Sequence, residues 1–238
     1  MSEAALRARS EAALQARSEA EVQAMNEAEL RAGIVAVAQA IDRAGFCPSK
    51  SGNVSARFGD GFLITPSGLP YAQTTPGDLL HLARDGAVLA GSRKPSSEWP
   101  FHAEIYKARP DAQAIVHTHS PRATALSCTR RGIPAFHYMI ALCGGADVRC
   151  ADYATFGSPE LAANAVTALE GRKAVLLANH GVIALGGSLA GAHNIAAEVE
   201  NLAGQYLDIL AAGLDPAILD AEEMARVSAK FAGYGKVG

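Results

Sequence analysis

Nowhere in the 238 residues is there an unbroken apolar run of about 18, the length a membrane-crossing helix needs. No charged-then-apolar leader opens the chain, so no secretory signal is expected. An excess of one charge is also lacking. The 21 Lys and Arg stand against 24 Asp and Glu, a formal net charge of −3, which leaves no basic footprint for nucleic acid. Cysteine is scarce: Cys47, Cys128, Cys143 and Cys150 show no Cys-x-x-Cys spacing. Reduced thiols in a cytoplasmic protein are the simplest reading. No Pro/Gly/Ser-rich linker splits the chain into halves. At 49% apolar and 19% charged, it has the composition and length for one sizeable core.

The N-terminus is repetitive. Four octads follow one another, SEAALRAR, SEAALQAR, SEAEVQAM and NEAELRAG. Their composition favours helix, but one octad advances the apolar position by about 80° around a helix. Leu6, Leu14, Val22 and Leu30 therefore spiral rather than form the stripe a coiled coil needs. Residues 1–24 are expected to be a solvated or helical extension, with Met25 as an alternative start. Residues 25–238 are expected to form the functional domain.

Periodicity organises the remainder. Leu30, Ile34, Val37, Ala38 and Ile41 recur at helical spacing before Gly45. Residues 51–58 alternate as a strand, with Phe62-Leu63-Ile64-Thr65 as hairpin partner across Gly59-Asp60-Gly61. Short strands are expected at 79–82 and 87–89, and a helix opens at Ser97-Glu98. Ala114-Ile115-Val116 leads into His117-Thr118-His119, and a helix is expected from Pro121 to Cys128. Ser158 caps a helix from Pro159 to Leu169. Ala174 to Leu177 and Val182 to Leu185 are strands, and a long helix spans Leu189 to Ala211. Strands clustered in pairs between helices predict an α/β fold. Its central, mostly antiparallel sheet would carry helices on both faces.

His117 and His119 lie one residue apart at the end of an apolar run. On a strand, positions i and i+2 share a face, so both imidazoles would leave on one side, half of a divalent-metal shell. His180, beside Gly181 and between two apolar runs, is the natural third ligand. His102, one helical turn after Glu98, and His137, beside Tyr138, compete for that place. His81 and His193 have no partner pattern. Ser96-Ser97-Glu98 sets hydroxyls and free N–H groups at a helix start, which suits an anion. Ser51-Gly52-Asn53 and Thr65-Pro66-Ser67-Gly68 are further donor-rich turns. Together they form a plausible phosphate cradle built on backbone N–H and hydroxyl groups. Glu98, next to those serines, is placed to act as a base near a metal and a phosphate.

Taken together, GNVSARFGDGFLITPSGLPY, PSSEWPFHAEIYKARPDAQAIVHTHS, IPAFHYMIALCGG, ADYATFGSPEL, RKAVLLANHGVIA and KFAGYG resemble the class II aldolase/adducin family from about Met25 onward. The resemblance implies a three-layer α/β/α fold with a mixed, mostly antiparallel central sheet. It implies one Zn²⁺ per subunit on His117, His119 and His180, with Glu98 as a fourth ligand that swings off to serve as acid/base. Gly52, Asn53, Ser67, Gly68, Ser96 and Ser97 would hold the phosphate. Tyr138 would be the acid/base at the aldehyde oxygen, supplied across a subunit interface of a homotetramer. Phe156 and Tyr234 would line the aldehyde pocket. The implied reaction is reversible cleavage of a 1-phosphoketose to dihydroxyacetone phosphate and an aldehyde. Candidate substrates are L-fuculose 1-phosphate and 5-deoxyribulose or 5-(methylthio)ribulose 1-phosphate, with no nucleic-acid or membrane partner. A pentulose-phosphate 4-epimerase, a decarboxylase, a dehydratase and a non-catalytic adducin-like scaffold are the competing readings.

Overall fold

The computed structural model describes residues 26–233, so the octad extension of 1–24 and Tyr234 lie outside the described residues. Eight strands form one sheet: β1 (Asn53–Phe58), β2 (Gly61–Ile64), β3 (Leu80–Ala83), β4 (Val88–Ala90), β5 (Ala114–Thr118), β6 (Arg149–Ala151), β7 (Ala174–Leu177) and β8 (Gly181–Gly186). Their spatial order is β4-β3-β2-β1-β5-β8-β7-β6. Every pair is antiparallel except β6–β7. The helices are α1 (26–43), α2 (Trp99–Ala108), α3 (Pro121–Ser127), α4 (Pro159–Ala168), α5 (Leu189–Ala211) and α6 (Ala221–Gly233). Among the described residues, no helix is long and apolar enough to cross a membrane.

The period-two alternation of the strands sorts side chains into two layers of core. Ile115 of β5 and Ile183 and Leu185 of β8 face α2 and α4, packing with Phe101, Ile105, Leu161 and Ala165. Val54, Ala114, Val116 and Ala184 face the other way, against Ile34, Ala38 and Ile41 of α1 and Ala192 and Ala196 of α5. A third cluster packs α3, α5 and α6 over Leu176 and Val182. Each fully buried Ile, Leu or Val in these layers contributes about 1.5–3 kcal/mol relative to an exposed one. The result is the expected three-layer α/β/α arrangement around a mixed sheet.

Three elements depart from the sequence expectation. β6 is a strand of three residues, paired in parallel with β7. A 3-10 helix spans Tyr138–Cys143, and α6 packs on it. β5 ends at Thr118, so His119 stands just beyond the strand, where its backbone N–H donates to Phe46 O at 2.9 Å.

Candidate metal centre and active site

Two glycines allow the strand ends to meet. Gly52 has φ +82°, and a Cβ there would lie 2.6 Å from His117 O. A Cβ on Gly181 would lie 2.4 Å from Thr118 O. Only residues without a side chain let β1 and β8 close this tightly on the end of β5. The register then pairs Asn53 with His117 and Thr118 with Val182. His180, one residue before β8, is thereby brought beside His119.

His117, His119, His180 and Glu98 converge, each offering one ligand atom, and these atoms all lie within 4.8 Å of one another. His117 Nε2 is 3.1 Å from Glu98 Oε2, and His180 Nε2 is 3.0 Å from Glu98 Oε1. His119 Nε2 is 3.1 Å from His117 Nε2. The three rings stand edge to face, with centroids 4.8–4.9 Å apart. Donor atoms of a tetrahedral ion at about 2.0–2.1 Å are themselves about 3.3 Å apart, so the spacing suits a divalent cation. His117 Nδ1–H donates to Val182 O at 2.9 Å, which leaves its Nε2 lone pair facing the centre. Glu98 Oε1 is buried and has no hydrogen-bond partner. His180 Nε2 beside it is a possible ligand atom, and a cation between the two would satisfy both.

Electrostatics agree with that donor set. Burial, then the neighbouring His117 and His180, push the His119 imidazole down to about 3, so it is neutral and able to ligate at neutral pH. Burial works against ionisation of Glu98, but His117 and His180 outweigh it and hold the carboxyl well below the usual carboxylate range. The thiols take no part. Burial pushes Cys47 and Cys143 up to about 12, and no cysteine joins the cluster.

A cavity of about 310 Å³ opens above the cluster. Its lining includes Glu98, His119 and His180, together with Gly52, Asn53, Ser67, Gly68, Ser96, Ser97 and Phe156. Three turns far apart in sequence thus share one space with the metal-ligand candidates. His117 is fully buried beneath it. Asn53 links the two groups: its Nδ2 donates to Glu98 Oε2 at 2.9 Å and to Ser96 Oγ at 3.0 Å.

Other candidates are placed elsewhere. His102 is not a ligand, because both its ring nitrogens are engaged by Asn53 Oδ1 and Ser55 Oγ. His137 accepts from the Met139 N–H and caps the 3-10 helix. Tyr138 is half exposed and lines a separate groove with Phe136, Leu219, Val227 and Phe231. Lys50, Tyr153 and Asn179 also line the cavity and escaped the sequence reading. The first of them could have been found from its place two residues before Gly52.

The family described as "Class II Aldolase and Adducin N-terminal domain" matches residues 32–207. Over 205 residues the chain is 50% identical to the 5-methylthioribulose-1-phosphate/5-deoxyribulose-1-phosphate aldolase of Rhodospirillum rubrum, covering 86% of this chain and 92% of that protein. It is 45% identical over 202 residues to the L-fuculose phosphate aldolase of Escherichia coli (strain K12), covering 85% and 94%. A solved structure of an L-fuculose 1-phosphate aldolase matches with a TM-score of 0.83 at 40% identity, covering 86% of this chain and 96% of that one. With the family match spanning most of the chain and relatives aligned nearly end to end, this protein belongs to the class II aldolase and adducin family.

Proposed function

We propose that this chain is a zinc-dependent aldolase that reversibly cleaves a 1-phosphoketose to dihydroxyacetone phosphate and an aldehyde. One observation carries the reading: the Glu98, His117, His119 and His180 cluster opens into the same cavity as three donor-rich turns. A divalent ion held by those four residues would supply Lewis-acid stabilisation for the charge that develops on the ketose oxygens.

The chain's own residues do the rest. Ser67, Ser96 and Ser97, with the N–H groups around Gly52 and Gly68, bind the phosphate and so fix the reacting carbons. Asn53 joins that cradle to Glu98. In cleavage, Tyr138 of a neighbouring subunit takes the C4 hydroxyl proton. The C3–C4 pair passes to C3 and the aldehyde forms at C4. Glu98, moved away from the histidines, takes up a proton from solvent and delivers it to C3, while Tyr138 passes the proton it accepted on to solvent. Phe156 and Tyr234 contact the departing aldehyde. The protein is read as a cytoplasmic homotetramer.

The similarity to the Rhodospirillum rubrum protein favours a 5-deoxy- or 5-(methylthio)pentulose 1-phosphate over L-fuculose 1-phosphate. The test gives zinc-loaded protein each of the three and measures dihydroxyacetone phosphate release. Release from at least one is expected. Release from none overturns the aldolase reading, and a 4-epimer formed from a pentulose 5-phosphate would replace it.

A further inference from the structure

Phe101, Ala103 and Ile105 of α2 pack with Phe62, Ile115 and Ile183 of the sheet, and a polar seam runs beside them. Glu98, His102 and Tyr106 are spaced by four, so they stand on one face at the start of and along α2. Asn53 and Ser55 are spaced by two, so they share one face of β1. The two rows interlock. Asn53 Nδ2 donates to Glu98 Oε2 at 2.9 Å, and Asn53 Oδ1 meets His102 Nε2. His102 Nδ1 meets Ser55 Oγ at 2.7 Å, and Ser55 Oγ meets Tyr106 OH at 2.8 Å. His102 and Ser55 are fully buried, and Asn53 and Tyr106 nearly so.

The direction of this chain is fixed at its end. An ionised carboxylate only accepts, so the amino group of Asn53 must face Glu98 and its carbonyl must face His102. His102 then donates through Nε2–H, which leaves Nδ1 as the acceptor for the Ser55 hydroxyl. Ser55 in turn accepts from Tyr106, a phenol that burial keeps protonated. Without the His102 donor, Asn53 Oδ1 would be left unpaired in the buried seam, and the amide would lose the contact that holds it in place between Glu98 and Ser96.

We propose that His102 is a positioning residue: through Asn53 it holds the Glu98 carboxylate toward the three histidines and keeps the Asn53 amino group turned to the phosphate cradle. This rests on the aldolase reading for its kinetic arm only.

The experiment is a double-mutant cycle with a spectroscopic arm. His102→Phe keeps a ring to stack on Phe101, whose centroid lies 4.6 Å away, and removes both nitrogens. It should lower kcat/KM about 10–100-fold, the range seen when a partner of a metal ligand is lost. His102→Gln, whose amide can donate at the Nε2 position, should recover most of that loss. Adding His102→Phe to Asn53→Ala should change kcat/KM by no more than about 2-fold, since the effect runs through Asn53. In cobalt-loaded protein, His102→Phe should shift the visible absorption bands, and His102→Gln should leave them near those of the unaltered chain. Losses that multiply in the double variant, or a His102→Gln protein as impaired as His102→Phe, would overturn the proposal. If His102→Phe does not fold, Tyr106→Phe in its place gives the same cycle with a smaller expected loss of about 2–5-fold. If the unaltered chain cleaves no phosphoketose, the aldolase reading fails, and the cobalt spectra alone decide whether His102 orients Glu98. Identical spectra for all three proteins would then refute it.

Discussion

Glu98 and His119 aim at the same point in space, yet their loss should have different consequences. His119 offers a neutral imidazole and nothing else in the proposed chemistry. His119→Ala opens the shell, leaving two imidazoles and a carboxylate. We expect metal affinity to fall by roughly 100-fold or more, with activity following the metal. Glu98→Gln leaves three imidazoles and an amide oxygen that still accepts from Asn53. That protein should retain zinc after dialysis while kcat falls by roughly 10²–10⁴, the usual cost of removing an acid/base. Exchange of the C3 proton of dihydroxyacetone phosphate with deuterium, followed by NMR, should slow in parallel. Full activity and normal exchange in Glu98→Gln would show that another group moves this proton.

At the scale of elements, the seam between α2 and β1 makes stability depend on pH in a definable direction. Burial pushes His102 down to about 3, far below its ordinary value of 6.5. Between those values the unfolded chain takes a proton that the folded chain refuses. The folded state is therefore favoured above about pH 6.5 and loses stability as pH falls toward 3, by about 1.4 kcal/mol per unit from this group. Thermal melts of metal-free protein at pH 7, 6 and 5 should show a fall in stability to which His119 adds in the same direction, and His102→Gln should make the slope shallower by about 1.4 kcal/mol per unit. Equal slopes for both proteins would mean that His102 is not held neutral. The same seam shows what the sequence could and could not disclose. Alternation made β1 legible, short apolar runs between turns did the same for β2, β3, β4, β5, β7 and β8, and the pairing of His117 with His119 was visible because a strand repeats every two residues. The spacing of Glu98 and His102 was visible too, and it made His102 look like a rival ligand. Its true partners depend on how α2 is seated over β1, which is a tertiary fact. β6 escaped for a similar reason: three residues carry no period, and their pairing with β7 is made by the fold. The turns at Gly52, Gly68 and Ser96 could each be read as donor-rich, but only the closure of the strand ends puts them in one cavity.

For the whole molecule, the position of Tyr138 matters most. In one chain it lies on a groove with α6, away from the cavity that holds Glu98 and His180. Phe156, which lines that cavity, is 65% exposed, so one side of the site is open to whatever packs against it. Both facts are what a site completed by a neighbouring subunit requires. The proposed homotetramer therefore makes a prediction that a self-contained monomer does not. Glu98→Gln subunits carry an intact Tyr138, and Tyr138→Phe subunits carry an intact Glu98. Each protein alone should be nearly inactive. When the two are unfolded together in equal amounts and refolded with zinc, a cyclic assembly should place an intact Glu98 beside a neighbour's intact Tyr138 at about a quarter of its sites. Activity should rise to about that fraction of the unaltered enzyme, and it should peak at equal mixing. If each chain used its own Tyr138, no mixture could build a complete site, and activity would stay at the sum of the two separate proteins at every ratio.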